Sequence, residues 1–132
     1  MEYNMKQEEK ELLLADLCTR LPYGVKCQVQ EDEYTYVGTL CRIEVDNKNG
    51  NLLDFVETIS GLDCQVYLTE VKPYLFPLSS MTKEQKIRIR AIQDMGLSYY
   101  HLLVDKYNEW HIDYRGLIEK GLALDTTGLN IY

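Results

Sequence analysis

The sequence predicts an α+β fold: an N-terminal helix, an antiparallel meander of about four strands, and C-terminal helices. Three observations predict it. Apolar residues recur at helical spacing in residues 6–21, where Leu13, Leu14, Leu17 and Leu21 share one stripe. They then alternate with period two through residues 25–30 and 34–45. Helical signals return only after Thr82. Short strands in succession favour hairpin-connected neighbours. Such a sheet either stays open or curls into a small open barrel of SH3-like shape, with helices from both ends roofing its apolar side.

Each element has local reasons. In the first helix Glu8, Glu9 and Glu11 sit in the early turns, where they complement the helix dipole, and Pro22 with Gly24 ends it. The meander occupies residues 25–71. Its first strand sets Val25, Cys27 and Val29 against Lys26, Gln28 and Gln30. The acidic turn Glu31-Asp32-Glu33 leads into the longest strand, where Val37, Cys41, Ile43 and Val45 form the apolar face with Thr35 and Thr39. Tyr34, Tyr36, Leu40, Arg42 and Glu44 point the other way. Asp46-Asn47-Lys48-Asn49-Gly50 is the clearest turn, because Asn-Gly supplies positive φ cheaply. Strands are expected over 52–59 and 64–71 around Ser60-Gly61, although Asp54 weakens the first.

Residues 72–81, with Pro73 and Pro77, read as an extended crossover or edge segment, since proline removes ladder donors. Residues 82–121 read as helices. Thr82 and Gln85 make a capping box, and Ile87, Ala91, Ile92 and Met95 form the expected buried stripe. Gly96 breaks or kinks the helix. A further helix over about 97–110 buries some of Leu97, Tyr100, Leu103, Val104 and Tyr107. Asp113 and Gly121 bracket a short capped helix. Residues 122–132 form an irregular tail. The whole 132 residues fit one domain.

Composition narrows the function classes. A net charge of -7 argues against a partner held mainly through phosphates, so nucleic acid is disfavoured. The densest basic stretch, Lys83, Lys86, Arg88 and Arg90, reads as a solvated helix face. Cys18, Cys27, Cys41 and Cys64 contain no Cys-x-x-Cys pair, and Cys27 and Cys41 fall on apolar strand faces. The start, Met1 to Glu11, is charged and precedes no apolar signal region, and no apolar run approaches the roughly 20 residues that span a bilayer. A reducing cytoplasm and no membrane attachment are expected.

No motif assigns chemistry. His101 and His111 lie in no metal-ligand pattern, and His111 with Asp113 offers two ligands where a structural zinc needs four. No cysteine sits in a nucleophile signature. No glycine-rich phosphate loop is present. No catalytic residue, metal ligand or cofactor is therefore expected. The eleven tyrosines are the compositional oddity. Tyrosine offers large contact area with a polar handle, as protein interfaces use. Tyr34 and Tyr36 on the more polar strand face are the first candidates for a partner-binding surface. Trp110, His111, Tyr114 and Arg115 are the second, being rich in hot-spot residue types.

Three segments carry a resemblance: residues 10–26, beginning Lys10-Glu11-Leu12-Leu13-Leu14; residues 71–82, with Pro73-Tyr74-Leu75-Phe76-Pro77; and residues 113–123, with Asp113-Tyr114-Arg115-Gly116-Leu117. Together they resemble a family of small proteins of gut Bacteroidales and their prophages or other mobile elements, a family with no assigned activity. The resemblance implies a bacterial or phage accessory protein and carries no catalytic residues. Where the family commonly has Arg, this chain has Phe76, which implies a different partner if that position faces one. The leading expectation is a non-enzymatic module that binds another protein. The alternatives are a nucleic-acid-associated small barrel with its basic stripe on Lys83–Arg90, and a small hydrolase-like enzyme built where a histidine meets a cysteine or carboxylate.

Overall fold

Residues 5–46 and 50–132 are described by a computed structural model of the chain. Helix α1 spans Gln7–Arg20, and its first turn is closed by the Lys6 amide donating to Glu9 Oε1 at 3.0 Å. Pro22 and Gly24, the latter at φ 65°, end it as expected. Strands β1 (Lys26–Glu31), β2 (Tyr34–Asp46), β3 (Gly50–Glu57) and β4 (Asp63–Tyr67) form the antiparallel meander. The expected turn at 46–50 falls on residues 47–49, outside those described, but Asp46 and Gly50 pair on either side of it.

Beyond the meander, β5 (Val71–Pro77) enters the sheet, and the segment expected as a crossover is one of its inner strands. The prolines are tolerated because of where they fall. Pro73 stands opposite Cys27, the last pair of the β1–β5 ladder, and Pro77 ends the strand. Past that last pair, the Tyr132 hydroxyl bridges the strands: it accepts from the Lys26 amide at 2.9 Å and donates to the Tyr74 carbonyl at 2.8 Å. Two short strands, β6 (Ile112–Asp113) and β7 (Leu124–Asp125), run parallel to β5. The strand order is β4-β3-β2-β1-β5-β6, with β7 also on β5. The sheet stays open, with no closure into a barrel.

The longest strand corrects a phase. A bulge lies between Leu40 and Arg42, and one extra residue swaps the faces of everything beyond it. The core face therefore runs through Tyr36, Gly38 and Leu40 and resumes at Ile43. Cys41 is exposed, not on the apolar face, and Tyr36 packs on the core, not on the polar side. Gly38 has a packing reason: a Cβ there would meet Phe55 Cβ at 3.1 Å.

Leu13 and Leu17 of α1 cover this face, joined by Leu117, Leu122 and Ala123 from the C-terminal segment. The helix expected over 113–121 does not form: Asp113 ends β6 and the residues after it make turns. Asp113 does cap, its carboxylate accepting the Leu117 and Ile118 amides at 2.9 Å each, but no periodic apolar run follows to carry a helix forward. The tail expected to be irregular docks through β7 and Tyr132.

Helices α2 (Lys83–Asp94) and α3 (Tyr100–Glu109) pack against each other, and α3 reaches α1 and β6. The Thr82–Gln85 capping box forms as read, with bonds of 3.1 and 2.9 Å. Gly96, at φ 101°, breaks the chain between them. Neither helix contributes to the main core, so the sheet is roofed by α1 and by the turns after β6 rather than by helices from both ends. No helix among the described residues is long and apolar enough to cross a membrane.

Candidate functional site

The sequence-derived candidates go to three places. Tyr34 is 76% exposed beside the β1–β2 turn. Tyr36 lies on the same face two residues further along the strand, but over the core, its hydroxyl 2.8 Å from Cys64 Sγ and 3.2 Å from Glu31 Oε2. Burial, then the Cys64 thiol and Glu31, push this phenol above its ordinary range. Trp110 caps the end of α3, half-buried. His111, Tyr114 and Arg115 do come together, but around a buried ion pair rather than on an open surface.

That ion pair is built from one helix. Asp16 and Arg20, one turn apart in α1, are both 0% exposed. Arg20 Nε meets Asp16 Oδ2 at 2.8 Å, and Arg20 Nη2 meets Asp16 Oδ1 at 3.1 Å and the Ile112 carbonyl at 2.7 Å. Arg115 Nε adds a second cation 3.4 Å from Asp16 Oδ1. The Tyr114 ring lies 5.3 Å from the Arg20 guanidinium and 4.9 Å from that of Arg115, and it stacks on Tyr107 at 5.5 Å. Burial raises the Asp16 carboxyl above its ordinary value, while Arg20 and Arg115 pull it down. The His111 ring stacks on Tyr132 at 3.8 Å, and burial, with Arg20 and Lys26 nearby, lowers its pKa to about 4. Its Nδ1 has no hydrogen-bond partner among the described residues.

Chemically this cluster is a clasp. It ties α1 to β6 through the Ile112 carbonyl and sets the C-terminal segment against the sheet. Cys27, the nearest thiol, is fully buried, and burial holds it well above the ordinary thiol range, so it stays a thiol. No group of three or more His, Cys, Asp or Glu side chains among the described residues could hold a metal ion.

The open surface lies elsewhere, on the helix pair. Ile89 is the buried residue of α2. Ile87 and Met95, expected to be buried, are 61% and 51% exposed, and Ala91 between them is exposed too. Leu97, just beyond, is 91% exposed, and Tyr100 at the start of α3 is also exposed. At about 100° per residue, Ile87 and Ile89 sit about 200° apart. The helix thus has two apolar stripes, and α3 covers only the one holding Ile89. The first is flanked by the exposed Lys83, Lys86 and Arg90 on one side and Arg88 on the other. A shallow groove lined by Glu84, Ile87, Arg88, Ala91, Ile92 and Met95 runs along it. The signal was present in the sequence, since Ile87, Ile89 and Ile92 cannot share one face, but choosing the buried stripe required knowing what α2 packs against.

Comparison of the chain with protein-family models, with curated proteins and with solved structures found no match.

Proposed function

We propose that this chain is a protein-interaction module, an accessory protein of a bacterium or its phage, and that it docks through the outer face of α2. The observation that carries the reading is the ridge Ile87-Ala91-Met95, continued by Leu97, left open on a helix pair that takes no part in the main core. A monomer rarely leaves a contiguous apolar stripe exposed without using it. The charged rim, in which Glu84 and Asp94 stand among Lys83, Lys86, Arg88 and Arg90, suits orientation of a partner. The bacterial or phage origin is supported by the resemblance of residues 10–26, 71–82 and 113–123 to the Bacteroidales family.

The test is capture of binding proteins by tagged wild-type chain and by the I87E/M95E double variant. Both side chains are exposed, so the variant should keep its stability within about 0.5 kcal/mol and lose the captured protein. Retention of every bound protein by a folded variant would refute the reading.

A second reading has one observation in its favour. Lys83, Lys86 and Arg90 are exposed along one side of the same helix, which is the kind of stripe a nucleic-acid partner would need. It expects retardation of DNA or RNA at low salt, lost in a K86E/R90E variant. Absence of retardation at low salt removes it.

A further inference from the structure

We infer that the partner which covers the outer face of α2 is a second copy of this chain, docked antiparallel across a two-fold axis at Ala91. This rests on the reading of that face as an interaction surface. The groove has the form of a helix-packing groove: residues 84, 88 and 92 make one wall and residues 87, 91 and 95 the other, each row spaced by four. Such grooves receive the four-spaced ridge of another helix at a crossing of about 50°. This chain supplies that ridge itself. Ala91, its smallest member, stands midway between Ile87 and Met95. A two-fold at Ala91 lets the backbones approach there and sets Ile87 of each copy against Met95 of the other, as an isologous contact requires.

The charges obey the same symmetry. Arg90 and Asp94 form a loose pair within α2 at 3.9 Å, with side chains 80% and 73% exposed. In the antiparallel arrangement Arg90 of each copy comes beside Asp94 of the other, so the pair becomes a crossed network of four charges. Lys83 and Lys86, farther from the crossing, splay away from the partner instead of opposing it. The area is of the right order. Ile87, Met95 and Leu97 are more than half exposed and supply the apolar centre of such a patch, and the flanking polar side chains extend it as a rim toward the roughly 800 Å² per partner of a standard interface.

Light scattering or sedimentation across micromolar to millimolar concentrations tests this. The wild-type chain should approach twice its 15.4 kDa mass, and I87E/M95E should stay monomeric. R90D and D94R should each weaken association at least about tenfold. Mixed together, the two single variants should associate with each other, because the all-acidic pair of one faces the all-basic pair of the other. A purely intrahelical role for Arg90 and Asp94 cannot produce that rescue. A wild-type chain monomeric at every concentration, or variants that fail to associate on mixing, would overturn the inference. If the wild type is monomeric and yet I87E/M95E loses a captured host protein, the second copy falls and the interaction module stands. If the wild type is monomeric and I87E/M95E captures the same proteins, both fall.

Discussion

Replacing Asp16 tests how the clasp is held. Asp16 and Arg20 are completely buried, and Asp16 carries two bonds to Arg20, at 2.8 and 3.1 Å, and the ion pair to Arg115 at 3.4 Å. D16L removes the one anion between two guanidiniums and leaves Arg20 with the Ile112 carbonyl. Stripping one partner from a buried pair costs about 3–5 kcal/mol, because the remaining charge stays desolvated. Against a total stability of about 5–15 kcal/mol for a domain, that is a large fraction. For a chain of this length it lowers Tm by about 10–20 °C. The double variant D16L/R20M removes the buried charge as well. Its main remaining penalty is the unpaired Ile112 carbonyl, about 1–3 kcal/mol. The double variant should therefore be more stable than D16L alone, an inversion of ordinary additivity. Urea unfolding followed by circular dichroism measures all three, with the slope checked for constancy. A loss below about 1 kcal/mol in D16L, or a double variant less stable than D16L, would refute the argument that Asp16 neutralises a charge that cannot reach water.

Three further outcomes are expected. His111 titrates at about 4 when folded and near 6.5 when unfolded. The unfolded chain therefore binds the extra proton in that window, and stability present above pH 6.5 is lost as pH falls toward 4. With the ring part-exposed, the loss is about 1–2 kcal/mol. H111N should flatten this slope, and an unchanged slope counts against it. Asp16, raised by burial, contributes the opposite slope at the acid end, so the comparison is between variants. Y132F removes the hydroxyl that joins the Lys26 amide to the Tyr74 carbonyl and should cost about 1–3 kcal/mol, with faster hydrogen exchange at Lys26. G38A drives a methyl against buried Phe55 and should cost about 1–3 kcal/mol in thermal unfolding.

Much of this fold is local in origin and so was legible in the chain itself. The leucines of α1, the alternation of β1 and the Thr82–Gln85 box each act within a few residues, and each forms as the sequence implies. The α+β class follows from the order of those local periods. The candidate surfaces were less legible. Tyr34 and Tyr36 share one face of β2, and that face was misassigned because Ile43 and Val45, which set the expected phase, lie beyond a bulge that leaves no mark in a period-two count. His111, Tyr114 and Arg115 gather around Asp16 and Arg20, which lie about 90 positions earlier in the chain and come close only after folding.

Sequence alone determined the α+β order, the first helix, the strands of the meander and the Thr82 start of α2, and it placed apolar side chains around α2 without saying which would be covered. Tertiary structure alone decided which of them are covered. Burial belongs to a pair of surfaces, and the second surface, α3, is brought to Ile89 by a glycine break and a helix reversal. The same holds for Pro73. Its lack of an amide hydrogen is a property of the residue, but whether that matters depends on where the β1 ladder stops and on a hydroxyl delivered from Tyr132. Local free-energy preferences can be read along the chain, whereas the pairing of distant surfaces depends on geometry that no single segment contains.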